Sequence, residues 1–134
     1  MMRFKILEFS NYDGDSFDLT LDLGFNLLIH RKCRLEGADT PELRDKRPDY
    51  KAAAYLARDK VREWVENASK SVFVSETYTG KFGRPLGDIE VDGVSIRTLL
   101  FDNSLAVPYH GQAKSDVQSL HQENIDRLKK LGLI

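Results

Sequence analysis

Cysteine occurs once in the 134 residues, at position 33, which excludes an intrachain disulfide, a thiolate zinc site and a redox pair. A lone Cys33 reads as a small buried apolar residue. No stretch approaches the roughly 20 apolar residues that a membrane span needs. The opening MMRFKILEFSN carries Arg3, Lys5 and Glu8 where a secretory signal keeps an unbroken apolar segment. A soluble, cytoplasmic protein without a membrane partner is expected. An excess of one charge is lacking too: the formal net charge of −1 argues against the broad basic footprint of an indiscriminate nucleic-acid binder. No repeat, linker or low-complexity segment interrupts the chain.

What is present fits one domain over residues 1–134, with 41% apolar and 31% charged residues and enough length for a real core. A monomer is expected. Charge is uneven: residues 31–62 hold ten Lys/Arg against six acids, a local excess of four that would draw a polyanion to that side. Apolar residues at 17, 19, 21 and 23 alternate with Asp18, Thr20 and Asp22, the period of a half-buried strand. Residues 3–10 make a first strand, joined to it through the Asp-Gly chemistry of YDGDS. A third strand over about 26–35 puts Leu27, Ile29, Cys33 and Leu35 on one face, and Leu28, His30, Lys32 and Arg34 on the other.

After a polar loop over 36–48, Asp49 is positioned to cap a helix to about Asn67, whose apolar face is Ala53, Leu56, Ala57, Val61, Trp64 and Val65. Strands follow over 71–78 and 84–91, with TGKFG between them and Pro85 at a strand start or edge. Asp92-Gly93 makes a turn, a short helix covers about 95–103, and AVPYHGQAK reads as a loop. Ser115 and Gln118 have the spacing of a capping box for a last helix, to about Leu131 and ended by Gly132. Five short strands, with one helix between the third and fourth and more helices after, suit a mainly β fold. The expected form is a five-stranded Greek-key OB barrel with about three packed helices.

Two short motifs carry more acid than their turns require. In YDGDS, Asp13 and Gly14 suffice for a hairpin, yet Asp15 adds a D-x-D spacing whose oxygens can converge on a hard cation. An EF-hand is excluded, because its sixth and twelfth positions would be Asp18 and Gly24. ADTPEL is good loop chemistry by itself. With Arg34 five residues before Asp39 and Glu42 three after it, the set becomes the parts of metal-assisted phosphodiester chemistry. His30, His110 and His121 have no spacing that suggests a metal triad or a nucleophile pair, and read as ordinary surface or loop residues.

YDGDS, RLEGADTPE and KFGRPLGDI occur in that order and at fitting distances, and together resemble the staphylococcal nuclease (thermonuclease) family from about Tyr12 to the final helix. The resemblance implies Ca²⁺ on Asp15, Asp39 and the backbone carbonyl of Thr40, with Asp13 close by and acting through water. It implies Glu42 as general base, and Arg34 and Arg84 on the scissile phosphate. Lys81, Phe82 and Tyr109 are the implied nucleotide contacts; Phe82 stands where the family has tyrosine, and stacks on a base without donating a hydrogen bond. The loop LRDKRPDY is shorter and more basic than the mobile loop of the staphylococcal enzyme, and Pro85 directly follows Arg84. The implied activity is a calcium-dependent endonuclease acting on DNA, single strands preferred, and on RNA, leaving 3′-phosphate ends. The alternative is a non-catalytic OB module that binds single-stranded nucleic acid.

Overall fold

The computed structural model describes residues 1–77 and 83–134. Among these, the chain runs β1 (Met2–Asn11), β2 (Ser16–Asp22), β3 (Leu28–Leu35), β4 (Ala38–Asp39), α1 (Pro48–Asn67) and β5 (Ser71–Thr77). It continues through β6 (Leu86–Val91), β7 (Val94–Ser95), α2 (Ile96–Asp102), β8 (Val107–Pro108) and α3 (Lys114–Lys130). The sheet order is β3-β2-β1-β5-β6-β7, and β3 also pairs with β6, so β1, β2, β3, β5 and β6 close into a five-stranded barrel of OB type carrying three helices. Neighbours are antiparallel except at the closure, where β3 and β6 run parallel through Arg34↔Leu86 and Leu35↔Gly87.

The alternation of β2 turns Phe17, Leu19 and Leu21 into the barrel, where they meet Cys33 and Leu35 of β3 and Phe73 and Ile89 of β5 and β6. Cys33 is buried, as its chemistry suggests. The expected inner face of β3 holds for Ile29, Cys33 and Leu35 and fails at Leu27, which precedes the strand and is exposed. α1 lies on the core through Ala53, Ala57 and Val61, with Leu56, Trp64 and Val65 packed at its margin, the face its periodicity predicts. α2 adds Ile96 and Leu100, and α3 adds Ile125 and Leu128. Among the described residues no helix is long and apolar enough to cross a membrane.

Several local expectations are corrected. Asp49 does not cap α1: the N-cap is Arg47, without a side-chain bond, Pro48 opens the helix, and the Asp49 carboxylate pairs with Lys129 at 2.7 Å. Proline at the first helical position removes an amide that would have needed a partner, and the start lies two residues earlier than expected. The Ser115–Gln118 capping box does not form either. α3 begins at Lys114 behind Ala113, and Gln118 Oε1 accepts from Arg47 Nη2. The two stretches expected as loops, 36–48 and 106–114, each hold a two-residue strand, and β4 pairs with β8 through Ala38↔Pro108 and Asp39↔Val107. A pair this short leaves no alternation in the sequence to detect.

Gly87 sits at the closure. A Cβ there would collide with the Val74 carbonyl oxygen and meet the Phe73 ring at 2.7 Å, so β5 and β6 reach their spacing only because the side chain is absent. Gly87→Ala is expected to destabilise the fold by about 1–3 kcal/mol, the usual cost of overpacking. Urea unfolding checks this as a lower midpoint at unchanged slope.

Candidate functional site

The turn between β1 and β2 is built to hold its acids. The buried Asn11 donates from Nδ2 to the carbonyls of Asp13 and Arg58, and its Oδ1 accepts from Arg62 Nε, which fastens the turn to α1. The Asp15 amide donates to Asp13 Oδ1 at 3.1 Å, an Asx-type turn. Gly14 between them lies against Thr40 and Ala57: a Cβ would stand 2.8 Å from Thr40 Cγ2 and 3.1 Å from Ala57 Cβ. The dipeptide is therefore more than hairpin chemistry, because the close approach brings YDGDS against ADTPEL.

Contact between the two motifs follows directly. Thr40 N donates to Asp15 Oδ2 at 3.1 Å, and Leu35 N donates to the Asp15 carbonyl at 2.9 Å. Arg34, at the end of β3, places Nη1 3.3 Å from Asp15 Oδ1 and Nη2 3.5 Å from Asp39 Oδ1, so one guanidinium lies between two carboxylates. Its own amide donates to the Pro85 carbonyl, which brings the segment carrying Arg84 alongside. A cavity of about 310 Å³ is lined by Asp13, Asp15, Arg34, Asp39, Glu42 and Arg84. A second, of about 500 Å³, shares Arg34, Asp39 and Arg84 and adds Leu86 and Tyr109.

Residues separated by up to 71 positions thus converge as their chemistry suggests. Thr40 is buried behind Asp15, and Tyr109 stands in the adjoining cavity. Glu42 is exposed and bonded to Arg44 Nε at 2.8 Å. Lys81 and Phe82 lie outside the described residues.

His121 is a correction and an addition. Rather than a surface residue it is only 3% exposed, and its Nε2 stands 2.7 Å from Asp39 Oδ2. The contact is of hydrogen-bond length. The histidine engages one Asp39 oxygen while the other faces Arg34. Its place on the apolar stripe of α3, four residues after Val117 and four before Ile125, was the available signal. His30 and His110 are exposed, as expected.

The electrostatics are dominated by Asp15, which is 4% exposed. Desolvation, then the neighbouring Asp13, outweigh Arg34 and the Thr40 amide and push its carboxyl up to about 8. A carboxyl that resists ionisation in the protein alone gains most from a cation brought beside it. Among the described residues no three His, Cys, Asp or Glu side chains already form a metal-holding group. The donors do suit a hard divalent ion: Asp15 and Asp39 each turn one oxygen toward the same positive group, and calcium accepts carboxylate, carbonyl, water and phosphate oxygens together.

The shift has a sign in stability. Between the ordinary carboxyl pKa and about 8 the folded chain holds a proton that the unfolded chain has released, so raising the pH through this window favours unfolding. With chelator present, the melting temperature is expected to fall by at least about 4 °C from pH 5 to pH 8.5, roughly 1 kcal/mol for a domain of this size. Asp15→Asn should remove that part of the slope; an equal slope in both proteins would show that Asp15 ionises normally.

Neither the models of known protein families nor the curated proteins give a match to this chain.

Proposed function

We propose that this protein is a member of the staphylococcal nuclease family and a calcium-dependent endonuclease. It hydrolyses phosphodiester bonds of DNA, single strands in preference, and of RNA, and leaves 3′-phosphate ends. The observation that carries this reading is the meeting of Arg34 and Arg84 with Asp15, Asp39 and Glu42 around one cavity. A binding module has no use for a buried carboxyl beside two more acids, since each repels a phosphate unless a cation intervenes. The chain is proposed to act as a monomer in the cytoplasm.

Asp15, Asp39 and the Thr40 carbonyl would hold the ion, with Asp13 acting through water; when bound, calcium supplies Lewis-acid charge to a phosphoryl oxygen. The remaining steps belong to the chain. Arg34 and Arg84 present planar forks to the scissile phosphate and stabilise the charge that grows on its equatorial oxygens as water attacks. Arg34 lies between the two carboxylates that the ion would take, so an ion there would free its fork for the phosphate. Glu42 takes the proton of the attacking water, which requires it to exchange Arg44 for that water; the exposure of both side chains permits this. The water oxygen bonds to phosphorus as the bond to the 5′ oxygen breaks, and the 5′ oxygen leaves with a solvent proton. Tyr109 offers an aromatic face beside Arg84 for a base, and Lys81 and Phe82 are proposed as further nucleotide contacts.

Incubation with heat-denatured DNA in calcium, in magnesium and in EDTA tests the reading. Scission is expected in calcium and none in EDTA. Asp15→Ala and Glu42→Gln should abolish detectable turnover, and Arg34→Lys and Arg84→Lys should each lower it by roughly 10² or more, as when one transition-state donor is lost. DNA that stays intact in every metal while still bound would make this a binding module, and near-wild-type rates for both lysine variants would remove the arginines from the mechanism.

A further inference from the structure

Tyr12, Phe25, Tyr55 and Tyr109 are the exposed aromatic residues among those described. The Tyr55 ring is covered by the Arg58 guanidinium, 4.7 Å from its centroid. Phe25 lies beyond the far end of β2 from the site, since that strand starts at Ser16 beside Asp15 and ends at Asp22. That leaves Tyr12 and Tyr109 at the acids and arginines. Tyr109 has a part in the proposed mechanism and Tyr12 has none, although Tyr12 is 68% exposed against 42% for Tyr109.

The two rings stand in different cavities. Tyr12 lines the one of about 310 Å³, beside Asp13, Glu42 and Arg44, and Tyr109 lines the one of about 500 Å³. Neither ring borders the other's cavity, and the two spaces meet at Arg34, Asp39 and Arg84. The position proposed for the scissile phosphate therefore has an aromatic residue on either side.

The chain holds Tyr12 so that it presents its ring. Alternation at the end of β1 buries Asn11, bonded to the Asp13 and Arg58 carbonyls, and turns the next side chain outward. The Tyr12 amide donates to the Ser16 carbonyl at 3.2 Å, so the backbone beneath the ring is fixed across the turn. Among the described residues the ring packs on no other ring and under no cation, and its hydroxyl makes no hydrogen bond. A rigid aromatic face that needs only two torsions fixed is what binding surfaces use. Stacking is also indifferent to net charge, so the acids of this cavity do not oppose it: a base is neutral, and every base has a face to offer.

We propose that Tyr12 is a base platform, stacking one base of the strand on the side of the scissile phosphate away from Tyr109, so that the two rings hold the two nucleotides flanking the bond that is cut. This rests on the nuclease reading above. It defines the substrate as an unpaired strand splayed at the step that is cleaved. In a duplex, bringing two neighbouring bases onto separate rings costs unstacking and unpairing that a single strand largely avoids.

The test uses wild type, Tyr12→Ala, Tyr12→Phe, Tyr109→Ala and the Tyr12→Ala/Tyr109→Ala double variant in calcium. Two single strands are compared: a 12-mer of deoxythymidylate, and a 12-mer of the same backbone without bases. Tyr12→Ala is expected to lower kcat/KM on the thymidylate strand about tenfold, mainly through KM. The baseless strand, read as a substrate or, where it is not cut, as an inhibitor of thymidylate cleavage, should stay within twofold of wild type. Tyr12→Phe, which keeps the ring, should stay within twofold on both. The losses from Tyr12→Ala and Tyr109→Ala should multiply in the double variant, because the rings take different bases.

A thymidylate rate within twofold of wild type in Tyr12→Ala, or a tenfold loss in Tyr12→Phe, overturns the platform. So does an equal loss on both strands, which would show Tyr12 acting through the turn or through Arg44 and Glu42. Losses that fail to multiply overturn the placement of the bases on opposite sides. If wild type cuts no strand the nuclease reading fails, and fluorescence anisotropy of a labelled thymidylate 12-mer in EDTA then decides the platform. Tyr12→Ala should weaken that binding at least fivefold with the salt slope unchanged, since no charge is lost. Unchanged affinity, a changed slope, or no binding by wild type overturns it.

Discussion

The barrel closes at two residues, and the site depends on that closure. Where β3 meets β6, Arg34 and Leu35 pair with Leu86 and Gly87, the Arg34 amide takes the Pro85 carbonyl, and the Leu35 amide takes the Asp15 carbonyl. These few backbone bonds bring together three stretches of sequence that carry acids and arginines. Arg34 points from the closure, Arg84 comes just before it, and Asp15 is bonded to it through its main chain. Gly87, paired with Leu35 here, also lets β5 lie against β6, because the space a Cβ would need is filled by Phe73 and the Val74 backbone. A parallel pairing of this length contributes little stability by itself, so the core beneath it, from Phe17 to Ile89, must hold the strands in place.

On this frame the chain places charge against its own stability. Asp15 is buried beside Asp13, and a single guanidinium serves both Asp15 and Asp39. Replacing such a group with an apolar one would commonly be neutral or favourable for folding. Local conflict of this kind is expected at functional sites. The same holds at the helix starts, where α1 and α3 both forgo a capping side chain, although Ser, Thr, Asp or Asn there would add about 1 kcal/mol each. Asp39 stands between the two, with Arg34 on one side and His121 of α3 on the other.

The barrel was legible because its strands are half-buried. Alternation in β2 and the 3.6-residue stripe of α1 are direct consequences of one face meeting the core, and both appear where periodicity puts them. The surplus acids of YDGDS and ADTPEL were legible as chemistry, since neither turn needs them. What was hidden has a common cause: it depends on contacts between distant segments. The two-residue pair β4–β8, which orients Asp39, carries no periodic signal. His121 reads as one polar residue on a helix, and only packing α3 against β4 brings it within 2.7 Å of an acid 82 residues earlier. The capping expectations failed at Asp49 and Ser115 because tertiary partners won: Lys129 takes the Asp49 carboxylate, and Gln118 serves Arg47.

In the proposed mechanism Asp15 and Asp39 share one divalent cation. Isothermal titration of calcium into chelator-treated protein, repeated with Asp15→Asn and Asp39→Asn, tests it most directly. One ion per chain is expected, with a dissociation constant of about 10⁻⁴ to 10⁻³ M as befits a site with few protein oxygens, and its loss in either variant. Absence of binding by the unaltered protein, or calcium binding that survives both substitutions, would contradict it.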